Sequence, residues 1–325
     1  MKKDILKILR CPKTKQQLFL EDTESHNDEV YDGILLTENG ANRYPIEKGV
    51  PRFVPQESYA DSFGFQWNLY SKTQLDSFSG HTISFDRFWE SSGWDKDELK
   101  DKWVLDIGCG SGRFTEVALE AGANVVALDY SSAVDACYNN FKEHPRFHVV
   151  QGDIYELPLA TAFSFVYCLG VLQHTPDPSK AFLAIPSVLS TGGKICIDFY
   201  EKTWKSNLLP KYWLRPLTRH LPKRLLFSVL KKSVPTLLKL SRQLGRVYFL
   251  GSLLKRVVPV ANYYGIYPLT EKQHIEWSLL DTFDWFSPQY DKPQTQEVAR
   301  LLMEKARLRD IEVFKLGHIV ARGTK

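Results

Sequence analysis

Three alternating glycines that begin two positions after an acidic residue are the part of this chain best suited to bind a charged ligand. Residues 104–115 read VLDIGCGSGRFT, so an apolar run leads into Asp106, and Gly108, Gly110 and Gly112 follow at every second position. Apolar residues before the glycines and a helical pattern after them predict a buried parallel strand that turns into a helix. Glycine permits positive φ and a close approach to a ligand. The free N–H groups of the following helix point to the same place.

The acidic residue distinguishes this loop from a dinucleotide-binding loop. The order is D-x-G-x-G-x-G, whereas dinucleotide-binding loops read G-x-G-x-x-G. A carboxylate here would repel a pyrophosphate, but it suits a ligand that carries an ammonium group. The loop resembles the first motif of class I S-adenosylmethionine-dependent methyltransferases. The resemblance implies that S-adenosylmethionine is the cofactor and that its methionine end lies over Gly108 and Gly110. Asp106, Gly112 and Arg113 are also predicted to belong to the cofactor site.

Carboxylates also follow the next two predicted strands. The apolar run of residues 125–130 ends in Asp129 and Tyr130. A carboxylate at this point can accept hydrogen bonds from both hydroxyls of a ribose, and the resemblance gives Asp129 that role. The third predicted strand ends before Asp153 and Ile154. The resemblance implies that the Asp153 carboxylate binds the exocyclic amine of adenine and that the Ile154 backbone N–H binds a ring nitrogen.

His174 is the first candidate for a general base, because it follows the fourth predicted strand, residues 163–169. Methyl transfer from a sulfonium is an in-line displacement that depends on alignment and exclusion of water. A base is required only where the acceptor atom must lose a proton. A structural role for His174, capping the following turn, stays open as well. The same loop adds Leu169 and Gly170 to the predicted cofactor site.

Two segments rich in aromatic residues are candidates for the acceptor pocket. Residues 62–70 read SFGFQWNLY and are interpreted either as a lid over the cofactor or as packing on the sheet edge. Residues 263–290 follow the fifth strand, where the resemblance places the acceptor. Asp281 and Asp284 are candidates to orient or deprotonate it, although turn capping by Asp281 and core packing by Trp285 remain alternatives. The predicted substrate-binding residues are Gln66, Trp67, Tyr200, Tyr264, Trp285 and Tyr290.

The acceptor class is predicted from motifs that the sequence lacks. The loop after the fourth strand reads CLGVLQH, which is not the Asn/Asp-Pro-Pro-aromatic motif of enzymes that methylate adenine N6 or glutamine amides. A Pro-Cys nucleophile of the cytosine-C5 enzymes is also missing. We therefore expect O- or N-methylation of a small molecule, anionic or linked to a sugar or a carrier, and do not expect nucleic acid as a partner. An RNA-modifying methyltransferase and a non-catalytic cofactor-binding regulator are the alternatives.

Residues 201–265 are strongly basic, with 14 Lys and Arg residues against the single acidic residue Glu201, in a chain of net charge +4. Apolar residues at helical spacing predict a helical cap after the fifth strand. Its basic face is either solvated or a surface for an anionic partner, including a phospholipid membrane. No segment of the sequence reaches the length and apolarity of a transmembrane helix.

The first 57 residues resemble a small zinc-ribbon-derived domain, known as an activator subunit of tRNA and protein methyltransferases. The resemblance rests on Leu-Arg-Cys-Pro at 9–12, Tyr-Pro-Ile at 44–46 and Gly-Val-Pro-Arg-Phe at 49–53. A zinc site needs four thiolate or imidazole ligands, yet Cys11 is followed by Thr14 where its partner would stand. We therefore expect this domain to hold no metal.

The alternation of strands and helices predicts an α/β fold: a Rossmann-like, doubly wound, seven-stranded mixed sheet with a small N-terminal α+β domain and a helical insertion after strand five. Residues 311–316 and 318–322 are predicted to close the sheet as an antiparallel hairpin. A chain of 325 residues with 43% hydrophobic residues can bury such a core. Scattered cysteines and an N-terminus unlike a signal peptide predict a cytoplasmic protein.

Five segments are predicted along the chain. They are the metal-free zinc-ribbon-like domain (1–57), an aromatic-rich helical lid or linker (58–100), the cofactor-binding core (101–200), the basic helical insertion (201–268), and an acceptor-pocket segment with the last strands (269–325).

Overall fold

The computed structural model describes residues 1–26, 29–55, 59–203, 209–247 and 249–325, without the side chains of residues 22–26 and 252. Within these residues the chain forms two compact units. The first contains residues 1–71, 84–201 and 290–325, and the second contains residues 72–83 and 202–289. The second unit therefore includes a short part of the predicted lid segment together with the basic insertion.

The N-terminal part of the first unit is a four-stranded antiparallel sheet. Its strands, in spatial order, are β1 (Phe19–His26), β2 (Glu29–Leu36), β3 (Arg43–Glu47) and β4 (Val50–Pro51). The buried Cys11 thiol lies 3.2 Å from the Tyr44 hydroxyl. Among the described residues, no group of three or more His, Cys, Asp or Glu side chains is placed to hold a metal ion. The metal-free state of this domain stays a prediction.

A seven-stranded mixed sheet follows, and it confirms the predicted fold class. Its order is β10-β11-β9-β8-β5-β6-β7, with β5 to β9 parallel and β10 and β11 antiparallel at one edge. Both faces of the parallel strands are covered, which explains their nearly continuous apolar sequences. The strands are β5 (Trp103–Ile107), β6 (Asn124–Asp129), β7 (Phe147–Gln151), β8 (Phe163–Cys168), β9 (Leu189–Phe199), β10 (Arg309–Leu316) and β11 (His318–Thr324).

Some of the helices begin at a side-chain cap. Asp177 accepts hydrogen bonds from two backbone N–H groups at the start of α7 (Pro178–Ala184), and Thr270 forms a capping box with Gln273 at the start of α11 (Glu271–Phe286). In chain order the helices are α1 (Asp61–Leu69), α2 (Asp76–Ser79), α3 (Ile83–Ser92), α4 (Lys96–Leu99), α5 (Arg113–Glu120), α6 (Ala133–Phe141), α7 (Pro178–Ala184), α8 (Pro210–Thr218), α9 (Lys223–Leu244), α10 (Gly251–Val257), α11 (Glu271–Phe286) and α12 (Gln296–Lys305).

Helix α1 is docked tightly against the N-terminus of α6. A Cβ at Gly64 would lie 2.3 Å from the Ser132 Oγ atom, so this approach requires glycine. The Asn68 amide donates to the backbone carbonyls of Gly64 and Ser132 at 2.9 and 2.8 Å. The aromatic segment before the core is thus a helix, and one face of this helix packs against the rest of the first unit.

The second unit is helical, and α9 is its longest helix. Leu226, Leu230, Val234 and Leu238 form the buried face of α9. Lys231, Lys232 and Lys239 are exposed. None of the helices in the described ranges has the length and apolarity needed to cross a membrane.

Candidate functional site

The glycine turn between β5 and α5 has the backbone geometry that only glycine adopts readily. Gly108, Gly110 and Gly112 have φ values of +76°, +54° and +98°. A Cβ at Gly108 would lie 2.2 Å from a methyl carbon of Val171, in the loop after β8. The turn therefore brings backbone N–H groups to the carboxyl edge of the sheet, where ligands of such sheets bind.

Asp129 ends β6 directly beside this turn. Its Oδ2 atom accepts a hydrogen bond from the Gly110 N–H at 2.9 Å, and its Oδ1 atom accepts from the Ser131 backbone and hydroxyl at 2.8 and 2.7 Å. Burial raises the pKa of the Asp129 carboxyl above its ordinary value. A carboxylate offers about four acceptor positions, so the residue fits the ribose role that the sequence predicts for it.

Asp106 lies inside the first unit at the end of β5. The Thr115 hydroxyl donates to its Oδ2 atom at 2.6 Å. Burial raises the pKa of Asp106 to about 7, while the hydrogen bond from Thr115 acts in the opposite direction. A buried carboxyl of this kind favours a nearby cation, which agrees with a cofactor that carries an ammonium and a sulfonium group.

Asp106→Asn is expected to flatten the pH dependence of stability. The folded protein binds the Asp106 proton up to about pH 7, whereas an unfolded Asp releases it near pH 3.9. This contribution is complete below pH 3.9 and is lost as the pH rises through 7, so the wild type should lose roughly 1–3 kcal/mol relative to the variant between pH 4 and 8. Urea denaturation across this range measures it. Parallel curves for the two proteins would contradict the assignment.

The adenine side of the predicted site is formed by residues after β6 and β7. The Asp153 carboxylate is half-buried and accepts a hydrogen bond from the Tyr155 N–H at 2.9 Å, and Ile154 is buried. The Tyr59 ring stacks on Tyr130, with 4.8 Å between centroids and 18° between planes. Burial, reinforced by Asp153, raises the pKa of Tyr59. Tyr59 was not among the residues predicted from the sequence.

Trp67 lies over the glycine turn. A Cβ at Gly110 would lie 3.1 Å from the indole nitrogen of Trp67. The preceding residue, Gln66, is 1% exposed. The contact with Gly110 favours the lid interpretation of this segment, because Trp67 covers the backbone that the cofactor would approach.

His174 lies at the centre of a group of rings after β8. Its Nδ1 atom is 3.1 Å from the backbone carbonyl of Tyr290. A carbonyl only accepts, so Nδ1 carries a proton, and in the neutral ring Nε2 keeps its lone pair. The His174 ring contacts Phe63 at 5.1 Å and Tyr200 at 5.5 Å between centroids. The predicted residues His174, Tyr200 and Tyr290 are thus brought together, and Asp177, rather than His174, caps the following helix.

The loop after β8 is held by a pair of residues that the sequence analysis missed. The buried Asp198 carboxylate accepts from the Gly170 N–H at 2.5 Å and from the Arg87 guanidinium at 2.6 Å. The signal available in the sequence was an acidic residue near the end of an otherwise apolar strand. Leu169 is buried among apolar side chains. Arg113 donates to the Ser84 hydroxyl at 3.0 Å and lies over the Phe114 ring, so its described contacts are with protein groups.

The remaining predicted site residues belong to the second unit. The Asp281 carboxylate accepts from the Tyr263 hydroxyl, and the Tyr264 hydroxyl donates to Glu271 at 2.6 Å. Asp281 lies well inside α11, so the alternative that it caps a turn is wrong. Asp284 and Trp285 are half-buried in the last turn of the same helix. Their catalytic and binding roles stay predictions.

Comparisons with known proteins agree with this geometry. Residues 105–197 match the family described as "Methyltransferase domain". Curated relatives named tRNA U34 carboxymethyltransferase include one from Shewanella woodyi, 34% identical over 141 residues, and one from Shewanella frigidimarina, 35% identical over 133 residues. The matches cover 40% and 37% of this chain and 43% and 40% of the relatives. The chain thus spans about two fifths of the length of these proteins.

The solved structures that resemble this chain are more distant in sequence. Magnesium protoporphyrin IX methyltransferase from Synechocystis, with bound S-adenosylhomocysteine, is 15% identical with a TM-score of 0.44, covering 82% of this chain and 96% of its own. Human N-acetylserotonin methyltransferase is 15% identical with a TM-score of 0.43, covering 82% and 56%. Likenesses of this size do not identify an acceptor.

The curated relatives correct one expectation from the sequence. Nucleic acid was not expected as a partner, yet the matched relatives are named as enzymes that modify tRNA. The missing adenine, glutamine and cytosine motifs excluded particular acceptor atoms, and they did not exclude RNA as a class. The fold, the cofactor-type turn and the family match agree with one another. Residues 105–197 therefore match a methyltransferase domain in both sequence and fold.

Proposed function

We propose that this chain transfers a methyl group from S-adenosylmethionine to an RNA acceptor. The observation that carries the proposal is the grouping of the glycine turn, Asp129 and His174 at the carboxyl edge of one sheet. This is where a doubly wound sheet binds its ligand. The parts of the cofactor site and a group able to accept a proton are then on the same side of the first unit.

The residues present fit the cofactor. Asp129 would hold the ribose, Asp153 and Ile154 the adenine, and the turn at Gly108 and Gly110 the methionine end. When bound, S-adenosylmethionine supplies a methyl group on a positively charged sulfur, so the leaving group needs no protonation. The buried Asp106 supplies negative charge near the turn once it is ionised.

The protein itself must align the acceptor with the cofactor, remove a proton from the acceptor and exclude water. His174 Nε2 would accept the proton of an acceptor N–H or O–H, while the Tyr290 carbonyl fixes the ring through Nδ1. Phe63 and Tyr200 pack against the imidazole and limit access of water to it. This role of His174 rests on its placement and its hydrogen bond.

Two observations support RNA as the acceptor. The matched relatives are named for a tRNA nucleotide. Helix α9 of the second unit contains no acidic residue, and Arg224, Lys231, Lys232, Lys239 and Arg242 are exposed along it. A row of cations of this kind favours the phosphate backbone of a nucleic acid.

A small molecule is the second candidate acceptor, because His174 is only 6% exposed and lies among rings. Enclosed, ring-lined sites are typical of small-molecule binding. A small-molecule acceptor is therefore the alternative outcome of the labelling experiment described next.

The two acceptor classes are separated by following the label from methyl-labelled S-adenosylmethionine. The purified chain is incubated with unmodified tRNA transcripts and, separately, with a cell extract filtered to remove macromolecules. We expect ribonuclease-sensitive label in the RNA, decreasing with added salt and decreasing several-fold in Lys231→Glu/Lys232→Glu. Label in the filtrate alone would support the small-molecule acceptor. Label in neither, together with no binding of S-adenosylhomocysteine, would contradict the enzyme itself.

A further inference from the structure

Among the buried polar side chains of the first unit that have an amide or hydroxyl atom without a partner in the described residues, three lie on α1 and in the loop after β8. Gln173 is 0% exposed, Gln66 1% and Ser62 2%. Within the described part of the chain, neither amide atom of Gln173, nor Gln66 Oε1, nor Ser62 Oγ has a hydrogen-bond partner. Buried polar atoms in native proteins are almost always paired. Unpaired atoms on three side chains of two neighbouring segments are therefore the starting point for a ligand that supplies the partners.

The three side chains lie on two segments that meet. Ser62 and Gln66 are four residues apart on α1 and so lie on the same face of that helix. Between them in the sequence, Phe63 contacts the His174 ring at 5.1 Å between centroids. Gln173 directly precedes His174 in the loop after β8. The three side chains thus belong to the two segments that meet at the contact between Phe63 and His174, the proton-accepting residue of the proposed reaction.

The chemistry of this place favours a flat, neutral ligand. The three side chains carry no charge, so a charged group buried against them would lack a counter-ion and would be costly to desolvate. The Phe63 ring contacts the His174 ring, and the His174 ring contacts the Tyr200 ring. Aromatic rings are surfaces on which nucleobases stack. A primary amide presents a donor and an acceptor side by side, which matches the edge of a base.

We propose that Gln66 and Gln173 bind the imide edge of a uracil base that has left its stack, with Ser62 as a third hydrogen-bonding group. The imide edge has one N–H between two carbonyls, so the amide oxygen of Gln173 would accept from the ring N–H, and the amide N–H groups of Gln173 and Gln66 would donate to the two carbonyls. Enzymes that act on a base take it out of the helix or act on single strands. The assignment rests on the RNA acceptor proposed above and deepens it, because it names the base and the residues that recognise it.

The test uses nucleosides as probes, with the protein saturated with S-adenosylhomocysteine. Binding of uridine and of 3-methyluridine, which lacks the imide N–H, is measured by saturation-transfer NMR. We expect uridine to bind and 3-methyluridine to bind at least tenfold more weakly. Gln66→Met and Gln173→Met keep the length of the side chain and remove its amide. Each should weaken uridine binding at least tenfold and leave the affinity for S-adenosylhomocysteine within twofold.

Gln296→Met is the matched control, because Gln296 is an exposed glutamine of the same unit; its uridine affinity should equal that of the wild type. Equal binding of the two nucleosides, no binding of uridine, or unchanged uridine binding in both variants would overturn the assignment. In each of these results, retained binding of S-adenosylhomocysteine leaves the proposed methyltransferase standing. The comparison of the two nucleosides on the wild-type protein decides the question even where a variant does not fold.

Discussion

Replacing Asp129 by alanine is expected to weaken the binding of S-adenosylhomocysteine by roughly 100-fold, which corresponds to about 2.7 kcal/mol. The carboxylate accepts hydrogen bonds from the Gly110 N–H and from Ser131, at the point where the ribose diol would lie. Its removal deletes the acceptor for the diol and leaves a buried backbone N–H of the turn without its partner. Titration calorimetry of the folded variant measures the loss.

Asp177→Ala is the matched control for Asp129. Asp177 is also a carboxylate at the carboxyl edge of the sheet, but it caps α7 through the Ser179 and Lys180 N–H groups at 3.0 Å. Its loss should lower the free energy of unfolding by about 1 kcal/mol with little effect on cofactor affinity. Wild-type affinity in Asp129→Ala would show that the ribose is bound elsewhere.

His174→Ala is expected to lower kcat by roughly two to four orders of magnitude while cofactor affinity is retained. The expectation follows from the hydrogen bond between Nδ1 and the Tyr290 carbonyl, which leaves Nε2 as the proton acceptor of the neutral ring. Single-turnover transfer to the acceptor identified by the labelling experiment measures the chemical step. Calorimetry with S-adenosylhomocysteine measures the cofactor separately.

His318→Ala provides the comparison for His174. The His318 ring stacks on Tyr200 at 5.4 Å, as the second imidazole in contact with that tyrosine. It should change kcat by less than tenfold, since its ring stacks on Tyr200, which in turn contacts His174. Similar losses in both variants would indicate that packing around Tyr200, rather than proton transfer by His174, limits the reaction.

The elements that carry the cofactor-type turn could be predicted because their signals are local. The apolar run before Asp106 and the glycines after it fix a buried strand, a turn and a helix within about a dozen residues. Asp129 and Asp153 follow comparable apolar runs, so their place at the carboxyl edge follows from the parallel sheet. The hairpin of β10 and β11 was predicted for the same reason.

The parts that the sequence did not show depend on contacts between distant residues. Arg87 meets Asp198 across 111 positions of the chain, and neither residue stands in a motif. Gln173 is recognisable only by its unpaired buried amide, which is a property of the folded chain. The grouping of residues 72–83 with 202–289 also has no counterpart in the order of the sequence. The relatives named for tRNA overturned the expectation that nucleic acid is not a partner, because a missing motif excludes an atom and not a class of molecule.

The close docking of α1 has a consequence for the rate of turnover. Gly64 sits against Ser132, and Trp67 on the same helix covers Gly110. If the cofactor binds at the glycine turn as proposed, its departure would require α1 to lift from the core. Helix and loop openings of this kind take microseconds to milliseconds and often limit the release of product. The residence time of spent cofactor would thus be governed by the fit of a glycine against a serine, remote from the atoms that react.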